Sequence, residues 1–391
     1  MPLRDGGETV ADGHSQTPLL SVAPHTPVPG VPPLNGICPY YTMFPLDFPL
    51  RRLRSARKGT WVLDPFCGRG TTNLAARMRG LPSVGFDTSP VAVAIAQAKL
   101  SRATSFRVIS ECRRILEKED RVRVPRGDFW ELCYDAETLR EICIVRAALL
   151  GSCQSESRKS LRGLMLGLIH GPLRKGMPSY LSNQMPRTYA TKPAGAVRFW
   201  QKRGMRPPRV PLLDLVTRRA PIYLDGGLPS VGGAILVQDS RFDFAQVLNE
   251  RFSHVITSPP YIGMDHYLRD QWLRNWFVGG PSRPSWNGHT ALLTEDAERF
   301  VAELSRVWSG VGRVCRRGAR LTVRFGAIPG KEINPANVIS ASLDASDCDW
   351  QILTVTDAGF ATEGRRQSNQ FLRAPRHSVR EVDVHAVLRN N

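Results

Sequence analysis

Residues 61–72 read Trp-Val-Leu-Asp-Pro-Phe-Cys-Gly-Arg-Gly-Thr-Thr. The apolar run at 61–63 predicts a buried strand, and Gly68 and Gly70 predict a turn in which the backbone can approach a ligand closely. Small residues follow from Thr71 to Met78, and a helix that begins there points its free amide groups at a bound carboxylate or phosphate. We therefore predict a strand, a glycine turn and a helix as the nucleus of an α/β domain.

The same unit is repeated directly afterwards. Ser83 to Phe86 has the composition of a second strand, which Asp87 ends, and Pro90 opens another helix with Ser89 as its cap. This alternation is typical of a parallel sheet with crossover helices. Asp87 follows the glycine turn by roughly 20 residues, the spacing at which Rossmann-like folds place an acid on a ribose diol. The sequence thus predicts a nucleoside-containing cofactor, although the glycine pattern matches neither Gly-x-Gly-x-x-Gly nor a phosphate-binding loop.

The alternation is then interrupted. Helical patterns cover 108–119 and 136–150, and a stretch dense in Arg, Pro, Gly and Ser follows them. Strand-like segments resume at 234–237, 255–257 and 321–325, with late strands at 351–355 and 382–388. We predict one Rossmann-like α/β domain, a mostly parallel twisted sheet with helices on both faces, interrupted by a long basic insertion that is mainly helical or irregular. The predicted boundaries are a disordered tail at 1–35, the sheet domain at 36–110 and 230–391, and the insertion at 111–229.

The charge of the chain favours a polyanionic partner. The sequence has 53 Lys plus Arg against 35 Asp plus Glu, a net charge of +18. Residues 151–230 hold 14 Lys or Arg and 3 Asp or Glu, a net of +11, with aromatic residues between the charges. Lys and Arg hold phosphates while Arg, Asn and Gln read base edges, so this composition suits DNA. The alternative is a solvated basic loop region.

The sequence does not indicate a metalloprotein, a membrane protein or a secreted protein. The 8 cysteines include no Cys-x-x-Cys pair and no zinc-site spacing, so we predict reduced thiols and no metal. No apolar run approaches the roughly 18 residues that span a bilayer, and the N-terminus lacks the pattern of a secretion signal. We expect a cytoplasmic protein without a membrane segment.

A second motif, Thr-Ser-Pro-Pro-Tyr at 257–261, follows the apolar pair Val255-Ile256. Because Pro259 and Pro260 restrict the backbone, Ser258 and the carbonyl of Pro259 would be held in set directions. Two such acceptors can hold the hydrogens of an exocyclic amine and orient its lone pair toward an electrophile. Tyr261 offers a ring on which a base can stack. We predict these four residues, Ser258, Pro259, Pro260 and Tyr261, as the catalytic turn.

Together the two motifs resemble those of the S-adenosylmethionine-dependent DNA amino-methyltransferases, especially the enzymes that modify cytosine N4. The resemblance implies S-adenosyl-L-methionine as the cofactor. It also implies that the glycine turn holds the methionine part of the cofactor, that an acid after the second strand binds the ribose, and that a third acid lies near the adenine. The residues at these positions are Asp64, Phe66, Gly68, Gly70, Thr71, Asp87 and Asp239. The segment Tyr40 to Pro45 resembles the one that flanks the methionine end.

The resemblance further implies double-stranded DNA as the substrate, with the target base flipped out of the helix. The order of the motifs places target recognition in the basic insertion, and restriction or phage-defence proteins are the expected partners. Ser258 favours cytosine N4 over adenine N6, where Asp or Asn is commoner. Methylation at cytosine C5 is disfavoured because it needs a Pro-Cys turn, which the chain lacks. The alternatives are an adenine-N6 enzyme, an RNA base-amine methyltransferase and a non-catalytic DNA-binding subunit.

Two further expectations concern the segment after the catalytic turn. Trp272 and Trp276 are four residues apart and therefore share a helix face, which indicates core rather than a base platform. His266 is one candidate for the acceptor of the amine proton, beside Ser258 and water.

Overall fold

The computed structural model describes residues 30–40, 44–118, 121–172, 178–183, 185, 192–262, 271–284, 296–326, 333–360 and 380–390. The strands are β1 (Trp61–Asp64), β2 (Ser83–Asp87), β3 (Gly233–Val237), β4 (Phe252–Thr257), β5 (Cys315–Gly326), β6 (Trp350–Phe360) and β7 (Arg380–Leu388). The α-helices are α1 (Asp47–Arg52), α2 (Thr71–Met78), α3 (Pro90–Leu100), α4 (Ser105–Leu116), α5 (Asp128–Cys133), α6 (Ala136–Gly151), α7 (Glu156–Leu168), α8 (Pro193–Lys202), α9 (Leu212–Leu224), α10 (Trp272–Phe277), α11 (Ala297–Val314) and α12 (Pro335–Asp344).

Within the described residues these strands form a single sheet in the order β3-β2-β1-β4-β5-β7-β6. The neighbouring pairs from β3 to β5 are parallel, and β7 runs antiparallel to both β5 and β6. The first strand, β1, lies in the middle of the sheet. Strands β2 and β3 follow outward on one side of β1, and β4 lies on its other side. The predicted α/β fold, Rossmann-like with a mostly parallel sheet and helices on both faces, is confirmed.

Two hydrophobic cores cover the two faces of this sheet. The larger core joins the helices α2 to α10, and the other packs α11 and α12 against the central strands and β7. The sequence explains the tightest helix contact, between α3 and α7. A Cβ atom on Gly163 would lie only 2.3 Å from the Cβ atom of Ala98, so the two helices approach each other at small residues. Both predicted starts of the early helices are confirmed: α2 begins at Thr71, and α3 begins at Pro90, where Ser89 Oγ accepts from the amide of Ala92 at 3.3 Å.

Among the helices between α3 and β3, the start of the first, α4, lies next to the end of the last, α9. Ser105, the first residue of α4, donates from its amide and its hydroxyl to the carboxylate of Asp225, at 3.0 and 2.7 Å. Asp225 directly follows α9, so these two hydrogen bonds join the start of the inserted segment to its end. We call this connection the neck. The helices of the segment do not stand apart, because they share the larger core with α2 and α3. The domain boundaries predicted from the sequence remain a prediction.

The end of the predicted tail is folded. Residues Pro33–Gly36 form a short 3₁₀ helix, Leu34 is buried, and the side chain of Asn35 is hydrogen-bonded to Arg69. Composition alone could not show this, because the partner lies far along the chain. Residues 1–29 of the predicted tail lie outside the described residues.

Strand β6 is longer than predicted. It extends over Trp350–Phe360, whereas the sequence pattern indicated 351–355. The strand lies at the edge of the sheet and its residues from Leu353 to Asp357 are exposed, so no apolar alternation marks its full length. No disulfide joins any of the 8 cysteines, all of which lie within the described residues. Within the described residues, no helix is long and apolar enough to cross a membrane, and no cluster of His, Cys, Asp or Glu could hold a metal ion.

Candidate active site

The two motifs of the sequence meet at one edge of the sheet. Strands β1 and β4 are parallel neighbours, with Leu63 opposite Val255, so the turns that follow them emerge side by side. Thr257 Oγ1 donates to Asp64 Oδ1 at 2.6 Å, and Thr72 Oγ1 donates to the carbonyl of Ile256 at 3.1 Å. The glycine turn and the catalytic turn are therefore tied together by direct hydrogen bonds.

The two glycines of the glycine turn have different structural roles. Gly70 has φ of +73°, and a Cβ atom there would lie 2.7 Å from the Cβ atom of Ala96, so its absence lets α2 begin directly against α3. Gly68 has φ of +49°, and no atom lies within 4 Å of the position where its Cβ would be. The space beside Gly68 is open, and a ligand can approach the backbone there. Phe66 is half-buried beside the turn, and Thr71 is buried as the first residue of α2.

Asp87, at the end of β2, is hydrogen-bonded to the glycine turn. Its Oδ2 accepts from the amide of Gly68 at 2.9 Å, and its Oδ1 accepts from the amide of Ser89 at 2.8 Å. Burial raises the pKa of Asp87 to about 6, while the two amide bonds oppose that shift. Asp87 is half-buried at the same sheet edge as Gly68, so part of its carboxylate can still be reached by a ligand there.

Asp64 is almost completely buried, at 1% exposure. Its Oδ1 accepts from Thr257 and from the amide of Phe66 at 3.1 Å. Burial raises the pKa of Asp64 to about 7, against the opposing effect of these hydrogen bonds. The observed contacts make Asp64 a link between the two turns.

The third predicted acid, Asp239, lies just after β3 and is engaged by a neighbour. Arg241 donates to both of its carboxylate oxygens, at 2.9 and 2.5 Å, and also contacts Glu303 at 2.8 Å. Partial burial alone would raise the pKa of Asp239, but the Arg241 guanidinium holds it below its ordinary value. Ser240 donates to the carbonyl of Pro65, and this hydrogen bond holds residues 239–241 next to the glycine turn.

The catalytic turn is bound on its far side to β7. The Tyr261 hydroxyl donates to Glu381, which is almost completely buried, and the Tyr261 ring packs edge-on against Phe325 with centroids 5.4 Å apart. Tyr261 retains 8% exposure, Pro259 is buried, and Ser258 and Pro260 are half-buried. Glu381 was not predicted as a site residue, because it lies one residue before the predicted start of the last strand.

Two buried basic side chains, those of Arg69 and Lys99, lie behind the glycine turn. Arg69 donates from Nη1 to the carbonyl of Cys38 at 3.4 Å and from Nη2 to Asn35 Oδ1 at 2.8 Å. Lys99 Nζ donates to the same Asn35 oxygen at 3.1 Å. Burial lowers the pKa of Arg69 to about 10 and lowers that of Lys99 well below its ordinary value. These side chains fasten residues 35–38 over the turn, a contact that the sequence analysis missed.

A third buried basic side chain, that of Arg274 on α10, fastens the same segment from the other side. Its Nη1 donates to the carbonyl of Pro39 at 2.7 Å, and its Nε donates to the carbonyl of Leu166 at 3.0 Å. The prediction that Trp272 and Trp276 belong to the core is confirmed, since both are buried against Trp130. The predicted proton acceptor His266 and residues 41–43 of the methionine-end segment lie outside the described residues.

A model of the N6 and N4 amino-methyltransferases, described as DNA methylase, matches residues 31–98. The match supports a base-amine methyltransferase. It covers the segment fastened by Arg69, the glycine turn and Asp87, and it ends before the inserted helices. Together with the fold, it supports S-adenosylmethionine as the cofactor. No curated protein matches the chain.

Solved structures similar to this chain include several methyltransferases. TrmN from Thermus thermophilus is 10% identical, with 88% of this chain and 47% of that chain covered and a TM-score of 0.32. The rRNA methyltransferase aviRa from Streptomyces viridochromogenes is 12% identical, with 88% and 87% covered and a TM-score of 0.32. Magnesium protoporphyrin IX methyltransferase from Synechocystis, solved with bound SAM, is 11% identical, with 88% and 78% covered and a TM-score of 0.31. The chain thus spans about half the length of TrmN, and the fold assignment above rests on the strand order.

Proposed function

We propose that this chain transfers a methyl group from S-adenosylmethionine to an exocyclic amine of a flipped-out base in double-stranded DNA, with cytosine N4 as the favoured target. One observation carries the proposal: a glycine turn and a Ser-Pro-Pro-Tyr turn follow neighbouring parallel strands and are joined by the bond from Thr257 to Asp64. A methyl donor held by the first turn and an amine held by the second would face each other across this edge.

The residues of the glycine turn fit the cofactor. The open space beside Gly68 admits a ligand to the backbone, and Asp87 offers carboxylate oxygens to the ribose hydroxyls. Asp64, Phe66, Gly70 and Thr71 shape the turn, and Asp239 is the acid proposed beside the adenine. The cofactor supplies an electrophilic methyl group on a sulfonium centre.

The catalytic turn acts on the amine by positioning. In our proposal Ser258 and the carbonyl of Pro259 accept the hydrogens of the amine, so that its lone pair points toward the methyl group. Pro260 keeps the turn rigid, and Tyr261 contacts the face of the flipped base. Acceptors of this kind also stabilise the positive charge that develops on the nitrogen during transfer.

The deciding experiment incubates the protein with duplex DNA and S-adenosylmethionine, digests the DNA to nucleosides and identifies the product by mass spectrometry. We expect N4-methylcytosine. N6-methyladenine would correct the target atom, and a product found only with RNA would replace DNA as the substrate. Cofactor and DNA binding without any methylated product would identify a non-catalytic subunit.

Variants of the catalytic turn test the assigned roles. Ser258→Ala should lower kcat while the cofactor Kd stays unchanged, because Ser258 contacts the amine and not the cofactor. Tyr261→Phe keeps the ring but loses the bond to Glu381, and Tyr261→Ala loses both. If the ring contacts the base, the Phe variant retains more activity than the Ala variant. Equal losses in the two variants would show that the phenol and not the ring matters.

A further inference from the structure

Helix α8 presents a cationic face at the surface of the inserted segment. Ala196 and Trp200, four residues apart, are completely buried and hold the helix down. Arg198 and Lys202, also four apart, are exposed on the opposite face, and Arg206 is exposed just beyond the helix. Arg203 stacks over the half-buried ring of Phe199, with the guanidinium carbon 4.0 Å from the ring centroid. Within the described residues, Arg198, Lys202 and Arg206 form no ion pair.

The surrounding sequence lacks the acids that would neutralise this face. No Asp or Glu occurs from residue 157 to residue 213, a stretch that contains 12 Lys or Arg. An ordinary solvated helix surface mixes charges of both signs, which gives i,i+4 pairs and solubility. A face without acids instead produces a field that attracts a polyanion.

The position of α8 follows from the course of α7. Helix α3 begins next to Asp87, at the edge of the sheet that carries the candidate active site, and runs away from it. Helix α7 begins where α3 ends, since Ser101 Oγ donates to the carbonyl of Glu156 at 2.8 Å, and it packs along α3 through Gly163. Helix α7 therefore runs back toward the active-site edge, and its last turn contacts Arg274 through the carbonyl of Leu166.

A chain of aromatic rings then connects this end of α7 to α8. The Tyr134 hydroxyl, directly after α5, donates to the carbonyl of Ile169, directly after α7, at 2.8 Å. On α5 the ring of Phe129 lies 4.9 Å from Trp272 of α10 and 5.9 Å from Trp200 of α8. Helix α8 therefore packs against α5, and α5 in turn packs against α10, the helix that follows the catalytic turn along the chain.

We propose that Arg198 and Lys202 on the outward face of α8, with Arg203 and Arg206 directly after the helix, bind the phosphate backbone of duplex DNA. The inference rests on the proposed function, since it names the surface that holds the DNA while a base occupies the catalytic turn. Exposed guanidinium and ammonium groups spread along a helix and the residues after it suit an extended row of phosphates better than a compact acidic ligand. The half-buried Phe199 keeps the Arg203 guanidinium in place through its stacked contact.

The test compares two charge-matched double variants. Arg198→Gln/Lys202→Gln removes two charges from α8, and Arg316→Gln/Arg317→Gln removes two exposed charges at the start of β5, at the opposite edge of the sheet. Binding of a fluorescent duplex is measured by anisotropy over a series of KCl concentrations. Because each lost phosphate contact reduces the slope of log K against log salt by about 0.9, we expect the α8 variant to lose about 2 from the slope. The control should keep the wild-type slope.

Three further readings decide between explanations. Calorimetric binding of S-adenosylmethionine and the melting temperature should match wild type in both variants, and Arg198→Lys should keep the slope because it keeps the charge.

An unchanged slope in the α8 variant, in a protein whose wild type binds and methylates DNA, would overturn the proposed DNA-binding surface and leave the proposed function intact. Loss of the slope with duplex RNA but not with DNA would overturn DNA as the partner. A wild-type protein that neither binds nor methylates DNA would refute the proposed function itself.

Discussion

At the scale of single residues, Gly68 gives the clearest test of the cofactor turn. A bulky side chain there would fill the open space beside the turn, so Gly68→Val should abolish cofactor binding. Gly80 is the matched control, since it also has positive φ, +69° against +49°, and no atom near its Cβ position, but it lies after α2, away from the site. Both variants share the backbone strain. A thermal-shift titration with S-adenosylmethionine should stabilise wild type and Gly80→Val and leave Gly68→Val unchanged.

The proposed role of Asp87 can be tested through the pH dependence of cofactor binding. If its ionised carboxylate accepts from the ribose hydroxyls, a pKa of about 6 means that the affinity falls as the pH drops through 6. We expect the Kd of S-adenosylmethionine to rise by up to about tenfold per pH unit below that point. In Asp87→Asn the affinity should be weaker and independent of pH between 5 and 7. Calorimetry over this range checks both, and pH-independent binding by wild type would remove Asp87 from the cofactor site.

At the scale of elements, the contact between α3 and α7 determines how the inserted helices sit on the sheet domain. Gly163→Ala would place a methyl group against Ala98, and overpacking of this kind costs about 1–3 kcal/mol of unfolding free energy. Gly195→Ala in α8 is the matched control, because no atom lies within 4 Å of its Cβ position. There the same change should stabilise the protein by about 0.4–1 kcal/mol. Urea denaturation measures both, and equal effects would contradict the close approach of the helices.

The elements near the glycine turn were predictable from sequence because their signals are local. The helix from Thr71 to Met78 and the cap at Ser89 depend on residues that are neighbours along the chain. The carboxylates and cations that complete the site were not predictable in this way. Glu381 meets Tyr261, and Arg69 meets Asn35, only after the sheet and the 3₁₀ segment have brought them together. The pairing of Asp239 with Arg241 was visible as a local i,i+2 pattern but gave no indication of its geometry.

At the scale of the whole molecule, Asp64 and Thr257 join the two halves of the sheet domain across an insertion. Because the pKa of Asp64 is raised from 3.8 to about 7, the folded protein holds an extra proton between those values and loses stability as the pH rises through them. The slope is at most about 1.4 kcal/mol per pH unit. Asp64→Asn still accepts from Thr257 but does not titrate, so its stability should vary less between pH 4 and 7. Denaturation curves at several pH values compare the two, and identical pH profiles would refute the raised pKa.

The neck formed by Ser105 and Asp225 has a consequence for how such proteins diversify. Because these hydrogen bonds join the first residue of α4 to the residue after α9, the inserted helices leave and rejoin the sheet domain at adjacent points, so they can be exchanged as one cassette without changing the strand order. The condition is that an incoming cassette preserves a small residue opposite Ala98 on the helix that takes the place of α7. If the insertion recognises the target, as the resemblance implies, target preference can change by recombination in one step, whereas a change in the proposed transfer chemistry requires substitutions in the sheet domain itself.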